Sequence, residues 1–128
     1  MDNRYTFKKE ERISAQREID LLFEKGISFI SYPLRVVYFQ KKTFSGADAS
    51  VLISVPKKKF KKAVYRNRLK RLIRESYRLN KMPLLNQLQE KDCGLLIAFL
   101  FVGKELSGFK EIETAVIKAL ASLKEKII

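Results

Sequence analysis

Residues 57–81 read KKKFKKAVYRNRLKRLIRESYRLNK, and the division of this stretch into a loop and a helix decides how the rest of the chain is arranged. It contains twelve Lys and Arg against the single acid Glu75, so it carries +11 of the chain's formal +13. The other 103 residues are nearly balanced, with 15 basic and 13 acidic side chains. Charge concentrated in this way implies an anionic partner.

At a helical period of about 100° per residue, the second part of the stretch predicts an amphipathic helix from Ala63 to Leu79. Tyr65, Leu69, Leu72, Ile73 and Ser76 fall in one arc, with Tyr77 at its edge. Asn67, Arg68, Lys70, Arg71, Arg74 and Arg78 face the other way, interrupted only by Glu75, and Arg66 stands at the boundary. Arg66, Lys70 and Arg74 follow one another at i,i+4,i+8, a repulsion of roughly 0.2–0.5 kcal/mol per pair that a polyanion would reverse. Lys57, Lys58, Lys59, Lys61 and Lys62 extend the charge into the preceding loop. A solvated basic helix is the plain alternative. Against it, the helix uses five Arg to one Lys, and the planar guanidinium fork suits phosphates and base edges. Asn67, between Arg66 and Arg68, offers both a donor and an acceptor. The chemistry is that of a nucleic-acid-binding helix.

Downstream, Pro83 disfavours helical geometry at Met82, so the helix is expected to end within Asn80–Pro83. Leu84–Gln89 has room for a short helical turn. Cys93–Phe101 (CGLLIAFLF) is an apolar run of strand length, as expected for a strand buried on both faces. Ser107 is a candidate N-cap for a last helix, where Phe109, Ile112, Val116, Leu120, Leu123 and Ile127 make a core-facing stripe. Upstream, Pro33–Lys42 and Ala49–Val55 read as strands, joined in the simplest arrangement as a hairpin across the turn TFSGAD. A first helix spans Ala15–Lys25, with Ser14 as N-cap and Gly26 as C′ residue. Residues 1–13 read as an extended arm. The order is α-β-β-α-β-α with room for one more short strand, in one domain of 128 residues.

Composition narrows the function. With 46% hydrophobic residues, nine Phe and five Tyr, the chain has a real core, and its pI is near 10.0. Met1–Phe7 lacks the apolar core of a signal peptide, and Cys93–Val102 is about half a membrane span. A single cysteine suits a reducing cytoplasm, where the protein is expected, away from membranes. There is no His, so the commonest general base and metal ligand are both missing. Cys93 opens an apolar strand without a candidate base and reads as a buried, inert thiol. No Gly-rich phosphate loop, metal-ligand cluster or suggestive carboxylate pair is present. No catalytic residue and no bound cofactor or metal is expected.

Residues 53–78, ISVPKKKFKKAVYRNRLKRLIRESYR, resemble the signature of the bacterial ribonuclease P protein family. Arg66, Asn67, Arg68, Lys70, Arg71, Arg74 and Glu75 match its RNR motif one for one. Arg12–Ile13, a helix ending LLFEKG, and KDCGLLIA at residues 91–98 resemble its flanking motifs. The resemblance implies an α+β sandwich, three helices on a central and mostly antiparallel sheet. It also implies a left-handed βαβ crossover, where general chirality favours a right-handed one. The function implied is that of a monomeric subunit that joins a catalytic RNA to remove the 5′ leader from precursor tRNA, the RNA performing the hydrolysis with Mg2+. Lys57, Lys58, Lys61, Lys62, Arg66, Asn67, Arg68, Lys70, Arg71 and Arg74 would then contact the catalytic RNA. A cleft between the first helix and the sheet would hold the leader, with Phe23 matching a family aromatic and Tyr38 lying at or next to another. Ile19 stands where many relatives have a further Phe. The competing readings are a ribosome-associated basic protein, whose charge would be spread more widely, and a self-sufficient nuclease, which would need clustered carboxylates or a His.

Overall fold

The computed structural model describes residues 11–13, 15–41 and 49–127. Most of the expected arm, the Ser14 cap and the turn TFSGAD lie outside these residues. The chain runs α1 (Gln16–Lys25), β1 (Ile27–Ser31), β2 (Leu34–Lys41), β3 (Ala49–Ser54), α2 (Ala63–Asn80), α3 (Met82–Glu90), β4 (Gly94–Phe101) and α4 (Phe109–Lys126). The class is the expected mixed α+β, with a fourth helix, α3, where only a short turn was expected. Pro83 lies in the first turn of α3, where its missing N–H removes no helical bond. It opens a helix as well as closing the one before.

The strands lie in the order β1-β2-β4-β3. β1 pairs with β2 and β2 with β4 antiparallel, whereas β3 and β4 are parallel and are connected through α2 and α3. The expected hairpin between β2 and β3 is therefore not formed. β4 (GLLIAFLF) has no polar side chain to offer solvent, so it takes an interior place and separates them. The hairpin that does form joins β1 to β2 across Tyr32–Pro33, whose peptide bond is cis.

Side chains alternate across the sheet and divide the core in two. On one face Val36, Tyr38, Val51, Ile97 and Phe99 pack against α2, α3 and α4, with Leu69, Ile73, Tyr77, Val116 and Leu120 among the helical partners. On the other, Ile13 and Leu22 cover Val37, Leu96 and Ala98. The α4 stripe is buried from Ile112 to Ile127, while Phe109 at its start is exposed. Gly108, and not Ser107, occupies the N-cap of α4. Gly26 closes α1 with its N–H on the Leu22 carbonyl at an ordinary φ of −70°. It is required for space, since a Cβ there would fall against the Leu22 oxygen and 2.8 Å from Val37 Cγ1.

Residues 11–13 form a strap over the edge of this core. The Ile13 N–H donates to the Val51 carbonyl at 3.0 Å, and Lys81 Nζ donates to both carboxylate oxygens of Glu11 at 2.9 and 2.8 Å. Lys81 is only 1% exposed.

Candidate nucleic-acid interface

Helix α2 buries Leu69, Ile73, Ser76 and Tyr77. The Ser76 hydroxyl donates to the Leu72 carbonyl at 2.8 Å, which is how a polar residue belongs to the buried arc. The opposite face exposes Asn67, Arg68 and Arg71 and half-exposes Lys70 and Arg74. No acid stands in the first turn to offset the positive end of the helix dipole. The cationic face is fixed by the burial of its reverse side.

The loop before α2 is held just as firmly. Phe60, alone among the lysines, is buried edge-on against Phe101 with ring centroids 5.6 Å apart. Arg66 Nη1 donates to the carbonyls of Phe60 at 2.6 Å and Lys61 at 2.8 Å, and Lys59 Nζ donates to Val102 O at 3.0 Å. Half-buried Arg66 thus shapes the loop, a task its boundary position on the helical wheel left open. Lys57, Lys58, Lys61 and Lys62 stay exposed around the Phe60 anchor.

Two charges of the stretch are spent internally. Arg78 binds the Glu75 carboxylate, and that hydrogen bond holds the Glu75 pKa below its ordinary value. Lys81 is sealed against Glu11. Nothing in the composition separated Lys81 from its neighbours; only its place at the α2–α3 junction does. Arg74 differs from the rest. Its pKa is pushed down, first by burial and then by the charges of Arg12 and Arg71, and its Nε is buried without a hydrogen-bond partner among the described residues.

The structure does not bring Phe23 and Tyr38 together. Phe23 lies on α1 and is 49% exposed, whereas Tyr38 is 8% exposed in the larger core on the far side of the sheet, its ring edge-on to Phe29 at 6.0 Å. The neighbouring Phe39 is the aromatic on the α1 face, where it is half-buried with Leu52 and Leu100 around the smaller core. Strand alternation was the signal that distinguishes them, since Val37 and Phe39 share a face that Val36 and Tyr38 do not. Ile19 packs against that same smaller core. α1 fully buries only Leu22 and leaves the face partly open. Exposed Arg35, in register with Leu100, adds a positive charge to it. Cys93 is half-buried and accepts a bond from Gln40 Nε2 at 3.4 Å. Among the described residues no group of three or more His, Cys, Asp and Glu is placed to hold a metal ion, and no helix is long and apolar enough to cross a membrane.

Comparison with known proteins gives a consistent result. The family model described as Ribonuclease P matches residues 7–124. A ribonuclease P protein component of Porphyromonas gingivalis (strain ATCC 33277) is 47% identical over 112 residues, covering 88% of this chain and 82% of its own length. One from Clostridium botulinum (strain 657) is 34% identical over 115 residues, covering 88% and 93%. Among solved structures, the RNase P protein of Thermotoga maritima matches with a TM-score of 0.64 at 26% identity, covering 92% of this chain and 98% of the other. The Staphylococcus aureus RNase P protein matches with a TM-score of 0.69 at 22% identity, covering 88% and 94%, a likeness of fold.

Proposed function

The chain belongs to the ribonuclease P protein family, and from this premise we propose how its two surfaces divide the work of the ribonucleoprotein. As the protein component of ribonuclease P, it serves an endoribonuclease that matures the 5′ end of tRNA, with catalysis by the RNA subunit. In this reading the α2 face and the loop before it bind the catalytic RNA. Lys57, Lys58, Lys61, Lys62, Arg68, Lys70, Arg71 and Arg74 neutralise phosphates, Asn67 makes a directed hydrogen bond, and Arg66 holds the loop in place for them. The partly open α1 face, with Phe23 and Phe39 as stacking surfaces and Arg35 beside them, takes the single-stranded leader, where each stacked base contributes roughly 1–3 kcal/mol. In this reading the Mg2+ is held by the RNA. We place the protein in the cytoplasm, as a monomer before it joins the RNA.

The observation that carries this reading is the fixed cationic face of α2, whose residues resemble the RNR motif of the family. Its contribution is electrostatic. Bringing a leader phosphate chain toward a catalytic RNA sets polyanion against polyanion, and preformed cations lower that repulsion without reorganising. The test is multiple-turnover cleavage of a precursor tRNA by its cognate catalytic RNA at low Mg2+, with and without the protein. Stimulation with a mature 5′ terminus is expected. Salt-sensitive RNA binding without stimulation would favour a ribosome-associated role.

A further inference from the structure

The strap of residues 11–13 passes from one side of the sheet to the other. Lys81 lies at the junction of α2 and α3, between Tyr77 and Leu84, which both belong to the larger core. There its ammonium holds the Glu11 carboxylate at 2.9 and 2.8 Å. Arg12 bridges in parallel to Val51 on β3, the outer strand, and the Ile13 N–H donates to the Val51 carbonyl at 3.0 Å. The Ile13 side chain then joins Leu22 of α1 in the smaller core on the opposite face. Glu11 and Ile13 are the two ends of a clip around the β3 edge.

Helix α1 depends on such a tie. It fully buries only Leu22, whereas α2 buries four residues and α4 six. Its N-cap is Ala15, which has no side-chain acceptor to fix the first turn. Its far end runs into β1 through Gly26, and a half-buried ion pair, Lys41 Nζ to Glu18 Oε2 at 3.3 Å, joins its flank to β2. The end nearer the strap is therefore placed by what precedes it, and its distance from the sheet sets how far the α1 face opens. We propose that Glu11 and Lys81 are positioning residues for that face. By clipping the strap around β3 they hold α1 at the separation from the sheet that admits a single-stranded leader. This rests on the reading that the leader binds there. Lys81 acts from the opposite layer of the molecule, through Glu11 and Ile13. Apolar side chains could fill the same space, but only the paired charges fix one position of the strap.

The experiment assembles the full chain with its cognate catalytic RNA and measures affinity for precursor and mature tRNA, well below the melting temperature of each variant. The variants are Lys81→Met, Glu11→Leu combined with Lys81→Met, Val116→Ala and Phe23→Ala. Lys81→Met strands the buried Glu11 carboxylate and should melt below the native protein, whereas the double variant replaces the pair with apolar chains and should melt close to it. Both should narrow the preference for precursor by about threefold or more, through weaker precursor binding with mature-tRNA affinity unchanged. Val116→Ala loses packing in the larger core and should keep the native preference, which separates positioning from stability. Native preference in either pair variant, or equal narrowing in Val116→Ala, would overturn the positioning role while Phe23→Ala still narrows it. If Phe23→Ala also keeps the native preference, the leader reading itself fails, and this inference with it.

Discussion

Phe60 does more for the lysine loop than any lysine in it. In KKKFKK it alone is apolar, and its ring on Phe101 converts a repelling run into an anchored one. Phe60→Ala should destabilise the protein by about 3–5 kcal/mol, within the usual range for a buried Phe. It should also weaken RNA binding at temperatures where the variant is still folded, which thermal melting and RNA titration together would show. Phe23 and Tyr38 separate in the opposite sense. Phe23→Ala, at an exposed site, should leave melting nearly unchanged but narrow the difference in affinity between precursor and mature tRNA by about fivefold or more. Tyr38→Ala should lower the melting temperature and leave that difference alone. Loss of fold in Phe23→Ala would return that residue to the core. Sequence matching placed the family aromatic at or next to Tyr38, and strand alternation puts Tyr38 and Phe39 on opposite faces of the sheet, a distinction that family position alone does not make.

Among the elements, α2 and β4 were legible because each repeats one rule along its whole length. The helix alternates cation and apolar positions at its period, and the strand is apolar throughout. β1 was not legible, since five residues, ISFIS, between a glycine and Tyr32–Pro33 make a weak strand alone. It forms because β2 has an edge to pair, and its register runs Ile27↔Tyr38 to Ser31↔Leu34. The expected β2–β3 hairpin failed for a related reason. Nearness in sequence favours local pairing, but a strand apolar on both faces takes an interior place in the sheet, and here β4 lies between β2 and β3. α2 also holds a measurable conflict between stability and function. Lys70→Glu replaces two like-charge i,i+4 neighbours with opposite-charge ones, so it should raise stability by roughly 0.5–1 kcal/mol. The same change puts an acid in the middle of the surface we propose for RNA and should weaken binding more than tenfold. Denaturant melts and RNA titration of one variant would read both signs.

For the whole molecule, placement of charge matters more than its sum. A formal +13 would attract RNA anywhere on the surface, yet Lys81 is sealed inside, Arg78 is held by Glu75, and Arg68, Lys70, Arg71 and Arg74 lie on the open face of α2. In the proposed division the chain positions phosphates, while the RNA subunit supplies the catalysis. Binding should accordingly weaken steeply with salt. The most direct test removes the same charge from two places. Arg68→Ala with Arg71→Ala takes two cations from the exposed face of α2, and Lys110→Ala with Lys118→Ala takes two exposed ones from α4. Affinity for the cognate catalytic RNA at fixed salt should fall at least about thirtyfold for the α2 pair and change less than about threefold for the α4 pair. Equal losses from the two would contradict the account, because RNA would then be reading only the total charge.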